Sequence, residues 1–232
     1  MSNKYSIGLD YGTNSVRTVI VNVKTGDELA SNVWQYAHGD EGIILDAKDP
    51  NLARQHPQDF VDGIRESVRG ALADANKEDG FSPSDVIGIG IDTTGSTPLP
   101  VDADGMPLAF KDEYKDNPNA MAWLWKDHTS VAEAEQITAL AGKIRPNYLT
   151  KIGGTYSSEW FWAKALHCLA VDPDVFEAAH TWVEYADWVP ALITGNTAPN
   201  RMKRGIWIAQ MESPVCCKAC FAPIRIGKTV RQ

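Results

Sequence analysis

The sequence predicts an α/β fold, with a mixed sheet and flanking helices. Residues 5–9 and 16–23 are β-rich runs joined by a short turn that contains Gly12 and Asn14, a pattern typical of a hairpin. Residues 86–92 form an almost wholly apolar run bounded by turn residues. Such a run favours a strand buried on both faces, as in a parallel sheet.

The segments between and after these strands add the helices and the remaining strands. Residues 28–36 predict a third strand, so that the chain opens with an antiparallel meander, and residues 38–56 predict a polar loop. Pro57 suits the first turn of a helix, and apolar residues recur at helical spacing from 59 to 76. Further on, residues 98–102 predict a short strand and residues 131–141 a helix.

Composition excludes several classes of function. With 232 residues, 44% of them hydrophobic, the chain can bury a substantial core. The net charge of −8 argues against a general nucleic-acid binder, which would present a basic face. No apolar run is long enough to span a bilayer, and the first residues lack an apolar signal region. We therefore expect a cytoplasmic protein that binds neither membranes nor nucleic acid.

The turn after the first strand carries groups suited to a phosphate. Gly12 has no Cβ to keep an anion away from the backbone N–H groups around it and Thr13. Thr13 and Ser15 add hydroxyl donors, and Arg17 offers a planar fork for phosphate oxygens. An ordinary hairpin would need only the glycine and the asparagine. The predicted phosphate and ATP site consists of Gly12, Thr13, Asn14, Ser15 and Arg17.

Two aspartates end the strands next to this turn. Asp10 could hold Mg²⁺ through its water shell, because that ion keeps several waters and takes few carboxylates. Asp92 ends the apolar strand, where it could act as a general base or as a hydrogen-bonding anchor.

A second set of residues suits a sugar. Gly95 and Ser96 follow the carboxyl end of the apolar strand, where open α/β sheets bind ligands, although a tight turn would use the same residues. Downstream, an aromatic ring and polar groups offer cover for C–H faces and partners for hydroxyls. The residues in this second group are Trp125, Lys126, Asp127 and Glu159. For any single Trp of this chain, a place in the core is the commoner alternative.

Three segments resemble one family. The spacing D-x-G-T-x-S-x-R over residues 10–17 is similar to the first phosphate motif of the actin-like ATPases, specifically of the FGGY carbohydrate kinases. The segments N-P-N-A-M-x-x-L-W-K-D-H (117–128) and S-S-E-W-F-W-A-K (157–164) are long and specific to sugar kinases of this kind. The resemblance runs from about residue 7 to residue 206 and implies the first lobe of a ribonuclease-H-like fold.

The resemblance also implies a reaction. We expect ATP-dependent phosphorylation of L-ribulose to L-ribulose 5-phosphate, with ATP and Mg²⁺ as cofactors and with Gly95, Ser96 and the Trp125 region facing the ketopentose. The family's catalytic aspartate belongs to later sequence, so no residue here is assigned as the catalytic base. Two alternatives stay open: a kinase for D-ribulose or xylulose, and a non-enzymatic actin-like nucleotide-binding lobe. A homo-oligomer is possible but is not predicted from the sequence.

Residues 207–232 differ from the rest of the chain. From residue 200 onward, seven Lys or Arg stand against one acidic residue, and three of the four Cys lie there. We expect residues 1–206 to form an incomplete kinase lobe and 207–232 to be a non-homologous, frameshifted or disordered tail, so that the chain alone turns over little. Neither Cys216–Cys220 nor Gly227–Thr229 has the spacing of a zinc site or a complete phosphate loop.

Overall fold

The computed structural model describes residues 3–202, which fall into two compact units. The first unit contains the chain up to Ile44 together with Gln55–Thr94. The second contains Leu45–Arg54 and the described residues from Gly95 onward. The predicted tail, with Cys216–Cys220 and Gly227–Thr229, lies outside the described residues. No described helix is both long and apolar enough to cross a membrane.

A four-stranded mixed sheet organises the first unit. Its strand order is β3-β2-β1-β6, with β1 antiparallel to β2, β2 antiparallel to β3, and β6 parallel to β1. The predicted meander and the parallel strand are therefore confirmed. The elements of this unit are β1 (Tyr5–Tyr11), β2 (Ser15–Asn22), β3 (Glu28–Gln35), α1 (Pro57–Ala75) and β6 (Val86–Thr93).

Helix α1 packs closely on one face of β2 and β3. Pro57 occupies the first turn as predicted, and the ring of His56 caps the helix by accepting the N–H of Gln58 at 3.1 Å. The buried side of α1 includes several small residues, and Gly63 lies directly over Val16 of β2. Gly63 therefore lets the helix and the sheet approach each other closely.

Strand β6 is more exposed than the sequence predicts. Ile87 and Ile89 are 62% and 50% exposed, so the prediction of burial on both faces is wrong. Within the described residues of this sheet, β6 is an edge strand that pairs with β1 alone. Helix α1 packs mainly on β2 and β3 rather than on β6.

The second unit combines short strands with five helices among its described residues. The region 38–56, predicted as loop, contains two short strands that pair in the order β4-β5-β8, while β7 pairs antiparallel with β9. Strands of two or three residues are too short to show periodicity in a sequence. The elements are β4 (Ile44–Leu45), β5 (Ala53–Gln55), β7 (Pro98–Val101), β8 (Ala122–Trp123), α2 (Val131–Ile144), α3 (Pro146–Thr150), α4 (Phe161–Val171), α5 (Pro173–Ala178), β9 (Thr181–Glu184) and α6 (Tyr185–Thr194).

The core of the second unit is aromatic. Trp123 and Trp182 meet edge to face at 5.9 Å between ring centroids, and both are buried. Phe161 and Leu166 of α4 belong to the same cluster. Among the described tryptophans, Trp123, Trp182 and Trp188 are buried, and Trp160 and Trp162 are partly buried against core clusters, in line with the commoner interpretation.

Replacing Gly63 by alanine tests the close approach of α1 to the sheet. A Cβ at this position would lie 2.4 Å from Cγ2 of Val16. Alanine gains helix propensity of about 1 kcal/mol over glycine, but overpacking of this kind costs about 1–3 kcal/mol. We expect Gly63→Ala to lower the free energy of unfolding in urea titrations, and adding Val16→Ala to remove the clash. Equal stability of Gly63→Ala and wild type would contradict this packing.

Candidate functional site

The turn between β1 and β2 is fixed by its own backbone and by one side chain. The N–H of Gly12 donates to the carbonyl of Ser15 at 2.9 Å, so this amide is already engaged. The amide of Gln55 donates to the carbonyl of Thr13 at 2.8 Å. A Cβ on Gly12 would meet the Ser15 oxygen at an ordinary 3.5 Å, so space within the turn itself does not demand glycine. Because Gly12 has no side chain, the outer side of the turn stays accessible to a ligand.

Asn14 braces the same turn. Its side-chain nitrogen donates to the carbonyl of Glu41 at 2.6 Å, and its own carbonyl accepts the N–H of Tyr36 at 2.9 Å. These two bonds tie the turn to the segment that follows β3. The structure therefore gives Asn14 a role in shaping the predicted phosphate site.

Three charged side chains share the open face of the sheet, opposite α1. Asp10 of β1 stands in register with Arg17 of β2 on one side and with Asp92 of β6 on the other. Arg17 reaches Asp10 at 3.4 Å, and both side chains are more than half exposed. Gly8 and Gly90 line the same shallow depression and, having no side chains, leave its floor open.

This arrangement fits an anion accompanied by a hydrated cation. Asp10 and Asp92 are neighbours on adjacent strands, which lie roughly 5 Å apart. Two exposed carboxylates are the donors that Mg²⁺ accepts while keeping most of its water. Arg17 beside them provides a guanidinium fork of the kind that binds phosphate oxygens. The described part of the chain holds no cluster of three or more metal-ligating side chains.

In the second unit, Ser96 has an unusual backbone. Its φ is +54°, in the left-handed region that non-glycine residues seldom adopt. The ammonium of Lys164 donates to the carbonyl of Ser96 at 2.7 Å, and the buried carboxylate of Glu184 accepts the N–H of Thr97 at 3.0 Å. Ser96 is a predicted sugar contact, and hydrogen bonds thus hold both the C=O and the N–H of the peptide that joins it to Thr97.

Lys164 also reaches the segment before Trp125. The same ammonium donates to the carbonyls of Trp123 and Leu124, at 3.2 and 2.7 Å. One buried cation therefore joins two segments that the sequence predicts to contact a sugar. Sequence reasoning missed Lys164 as a functional residue, although it ends the segment 157–164 and stands between two alanines on an apolar helix.

Burial changes the titration of both charged groups. Loss of solvent lowers the pKa of Lys164 to about 7, and the nearby carboxylate of Glu184 partly opposes this shift. Loss of solvent likewise raises the pKa of Glu184 to about 7, opposed by the bond from Thr97 and by the Lys164 ammonium. Each group lowers the cost of burying the other.

Asp127 has a structural position. It forms an ion pair with Arg54 inside the protein, where both side chains are almost fully buried, and the Arg54 guanidinium lies 3.4 Å from the centre of the Trp123 ring. The Asp127 carboxylate also accepts the N–H of Ala53 at 2.7 Å and the hydroxyl of Thr129 at 2.6 Å. A carboxylate with no exposed surface cannot contact a sugar in this structure, so the predicted contact through Asp127 is corrected.

The remaining predicted sugar contacts are accessible. Trp125 is 40% exposed, Gly95 is exposed, and Lys126 is half-buried. Glu159 is partly exposed and lies 3.6 Å from His128, a distance at which the two form an ion pair when the imidazole is protonated. These groups keep the mix of ring surface and polar atoms that a sugar requires.

The fold is that of the first lobe of an actin-like ATPase, with a mixed sheet that opens with a meander. The model of the N-terminal domain of the FGGY family of carbohydrate kinases matches residues 5–201, and the chain belongs to this family.

Curated relatives point to the same family. The chain is 44% identical over 208 residues to a ribulokinase of Vibrio parahaemolyticus, covering 89% of this chain and 36% of the relative. It is 40% identical over 209 residues to a ribulokinase of Shouchella clausii, covering 87% of this chain and 36% of that protein. The chain therefore spans about a third of the length of these relatives.

Solved structures agree on the fold. A xylulose kinase from Bifidobacterium adolescentis has a TM-score of 0.61 at 14% identity, over 83% of this chain and 34% of its own. A glycerol kinase from Plasmodium falciparum has a TM-score of 0.60 at 17% identity, over 84% and 35%. At these identities the likeness establishes the architecture alone.

Removing the arginine charge from the buried Arg54–Asp127 pair and from the exposed Arg17–Asp10 pair tests which of them stabilises the protein. Breaking a buried pair costs about 3–5 kcal/mol because it leaves an uncompensated charge, whereas an exposed pair contributes about 0–1 kcal/mol. We expect Arg54→Met to lower the free energy of unfolding by about 3–5 kcal/mol, and Arg17→Met to change it by less than about 1 kcal/mol. Urea titrations of both variants measure these changes in the free energy of unfolding. Equal changes in the two variants would refute the assignment of the buried pair as the stabilising one.

The raised pKa of Glu184 gives a pH dependence with a definite sign. A carboxyl that titrates near 7 when folded and near its ordinary 4.5 when unfolded binds its proton more tightly in the folded state. Its contribution to stability is complete below about pH 4.5 and is lost as the pH rises through about 7.

Glu184→Gln removes this titration. We therefore expect wild type to lose stability relative to Glu184→Gln between pH 4.5 and 7. Chemical denaturation of both proteins across this range measures the difference. A difference that does not change with pH would show that Glu184 is not titrating as its burial requires.

Proposed function

We propose that this chain belongs to an enzyme that transfers the γ-phosphate of ATP to L-ribulose, giving L-ribulose 5-phosphate. The observation that carries the proposal is the convergence of Asp10, Arg17 and Asp92 on the open face of the sheet beside the β1–β2 turn. The identity of 44% to a ribulokinase supports the choice of sugar. Since the chain spans about a third of such relatives, turnover is proposed for the whole protein and binding for this chain.

The proposed phosphate site belongs to the first unit. Arg17 would neutralise terminal phosphate oxygens, and the hydroxyls of Thr13 and Ser15 would donate to them from the braced turn. Asp10 would hold Mg²⁺ through water, with Asp92 beside it in register. When bound, the metal neutralises the charge that develops on the transferred phosphoryl group.

The proposed sugar site belongs to the second unit. The exposed ring of Trp125 would cover a C–H face of the ketopentose, and the backbone at Gly95 and Ser96 would contact its hydroxyls. Lys126 and Glu159 offer the remaining polar partners. Asp127 acts indirectly, because its buried pair with Arg54 fixes the segment that carries Trp125.

Thermal stability with each ligand tests this function on the chain itself. A ligand that binds only the folded state at 100 times its dissociation constant adds about 2.7 kcal/mol of stability, which raises the Tm by several degrees. We expect MgATP and L-ribulose each to raise the Tm, and D-ribulose and xylulose to raise it less. A response to MgATP without any response to sugars would instead support a nucleotide-binding lobe without kinase activity.

Arg17→Met tests the phosphate contact. Removing a charged hydrogen-bond donor costs about 1.5–3 kcal/mol, which is about 10- to 100-fold in affinity. We expect calorimetric titration with MgATP to show a loss of this size for Arg17→Met. Arg69→Met, on the exposed side of α1, is the matched control and should bind as wild type does. Equal affinities for all three proteins would overturn the site.

A further inference from the structure

We propose that Lys164 and Glu184 are positioning residues that hold Ser96 in its left-handed conformation and so shape the sugar-binding surface. The inference rests on the proposed function, because it concerns the same pentulose site. Neither residue is placed in contact with the sugar. Their effect passes through the backbone of Ser96.

The two side chains grip a single peptide unit. Lys164, from α4, donates to the carbonyl oxygen of Ser96 at 2.7 Å. Glu184, at the end of β9, accepts the N–H of Thr97 at 3.0 Å. These two atoms lie on opposite sides of one planar peptide bond, so the two contacts together fix the orientation of its plane.

The backbone of Ser96 requires such restraint. With φ at +54°, Ser96 is one of two non-glycine residues with a positive φ in the described chain. A left-handed residue with a Cβ is strained and persists where surrounding contacts hold it. The carbonyl of Thr97, one residue later, accepts the N–H of Tyr185 at 3.1 Å, so the restraint continues into the next peptide.

The same ammonium extends the restraint to the segment that carries Trp125. Its bonds to the carbonyls of Trp123 and Leu124 fix where that segment begins relative to Ser96. One atom, the Nζ of Lys164, therefore donates hydrogen bonds to both segments that we propose to contact the sugar. A shift of this atom would change the spacing between the exposed Trp125 ring and the Ser96 backbone.

A purely structural role explains the pair less well. Burying an ammonium and a carboxyl group costs free energy that their hydrogen bonds must offset, so stability alone gives little reason to bury these two groups. Three carbonyl acceptors around one ammonium, two of them at 2.7 Å, instead indicate a precise orientation of the backbone.

The test uses the 232-residue chain and variants of the two residues that hold the peptide between Ser96 and Thr97. Glu184→Gln keeps an oxygen that accepts the N–H of Thr97, whereas Glu184→Leu removes it. Lys164→Met removes the donor to Ser96, and Lys143→Met, on the exposed side of α2, is its control. Amide hydrogen exchange at Thr97, calorimetric titration with L-ribulose and the Tm are measured for each protein.

We expect Glu184→Leu and Lys164→Met to speed exchange of the Thr97 amide and to weaken L-ribulose binding about 10-fold, and Glu184→Gln and Lys143→Met to do neither. Because glycine adopts a left-handed φ without strain, the loss caused by Lys164→Met should be smaller when Ser96→Gly is also present. If Lys164→Met does not fold, the Glu184→Gln and Glu184→Leu pair decides by the same two readouts.

Two negative results have different meanings. Unchanged Thr97 exchange in Glu184→Leu, or an equal loss from Lys164→Met with Ser96 and with Ser96→Gly, would overturn the positioning role. Absence of L-ribulose binding to the unaltered chain would overturn the proposed function. In that case the Thr97 exchange rates still decide whether Lys164 and Glu184 hold the peptide.

Discussion

The register of β1 between an antiparallel neighbour and a parallel one determines what the first unit can present to a ligand. Because side chains alternate along a strand, a slip of one residue would turn Asp10 toward α1 and an apolar residue toward solvent. The observed register instead sets Asp10, Arg17 and Asp92 side by side on the open face. The turn that joins β1 and β2, braced by Asn14, then lies at the edge of this charged group.

Charged groups divide by burial into those that build the protein and those that can meet a ligand. Arg54 with Asp127 and Lys164 with Glu184 are buried, and each holds backbone or ring atoms in place. Arg17 and Asp10 are exposed and contribute little to stability, so their charges stay available. In the second unit, the buried groups act on the surface only through the backbone that they orient.

Part of this organisation could be predicted from the sequence. The hairpin, the helix from Pro57 and the strand parallel to β1 leave strong local patterns, and all three are present. Family motifs pointed to the residues of the phosphate turn and to Ser96 and Trp125.

Other features depend on long-range packing that a local pattern does not contain. The exposure of Ile87 follows from where α1 lies, and the pair between Arg54 and Asp127 joins residues far apart in the chain. Asp127 was therefore mistaken for a sugar contact, since a motif records a residue type and not its burial. Lys164 was overlooked for the same reason, because nothing in the sequence shows that one ammonium meets three distant carbonyls.

We propose that the terminal phosphates of ATP, with their metal, bind the open face beside the first turn. Replacing Mg²⁺ by paramagnetic Mn²⁺ and adding MnATP to the isotope-labelled chain measures this directly, because amide signals close to the metal broaden. We expect selective broadening of the amide signals of Asp10, Arg17 and Asp92. Unchanged signals at these three residues, with broadening elsewhere in the described chain, would contradict it.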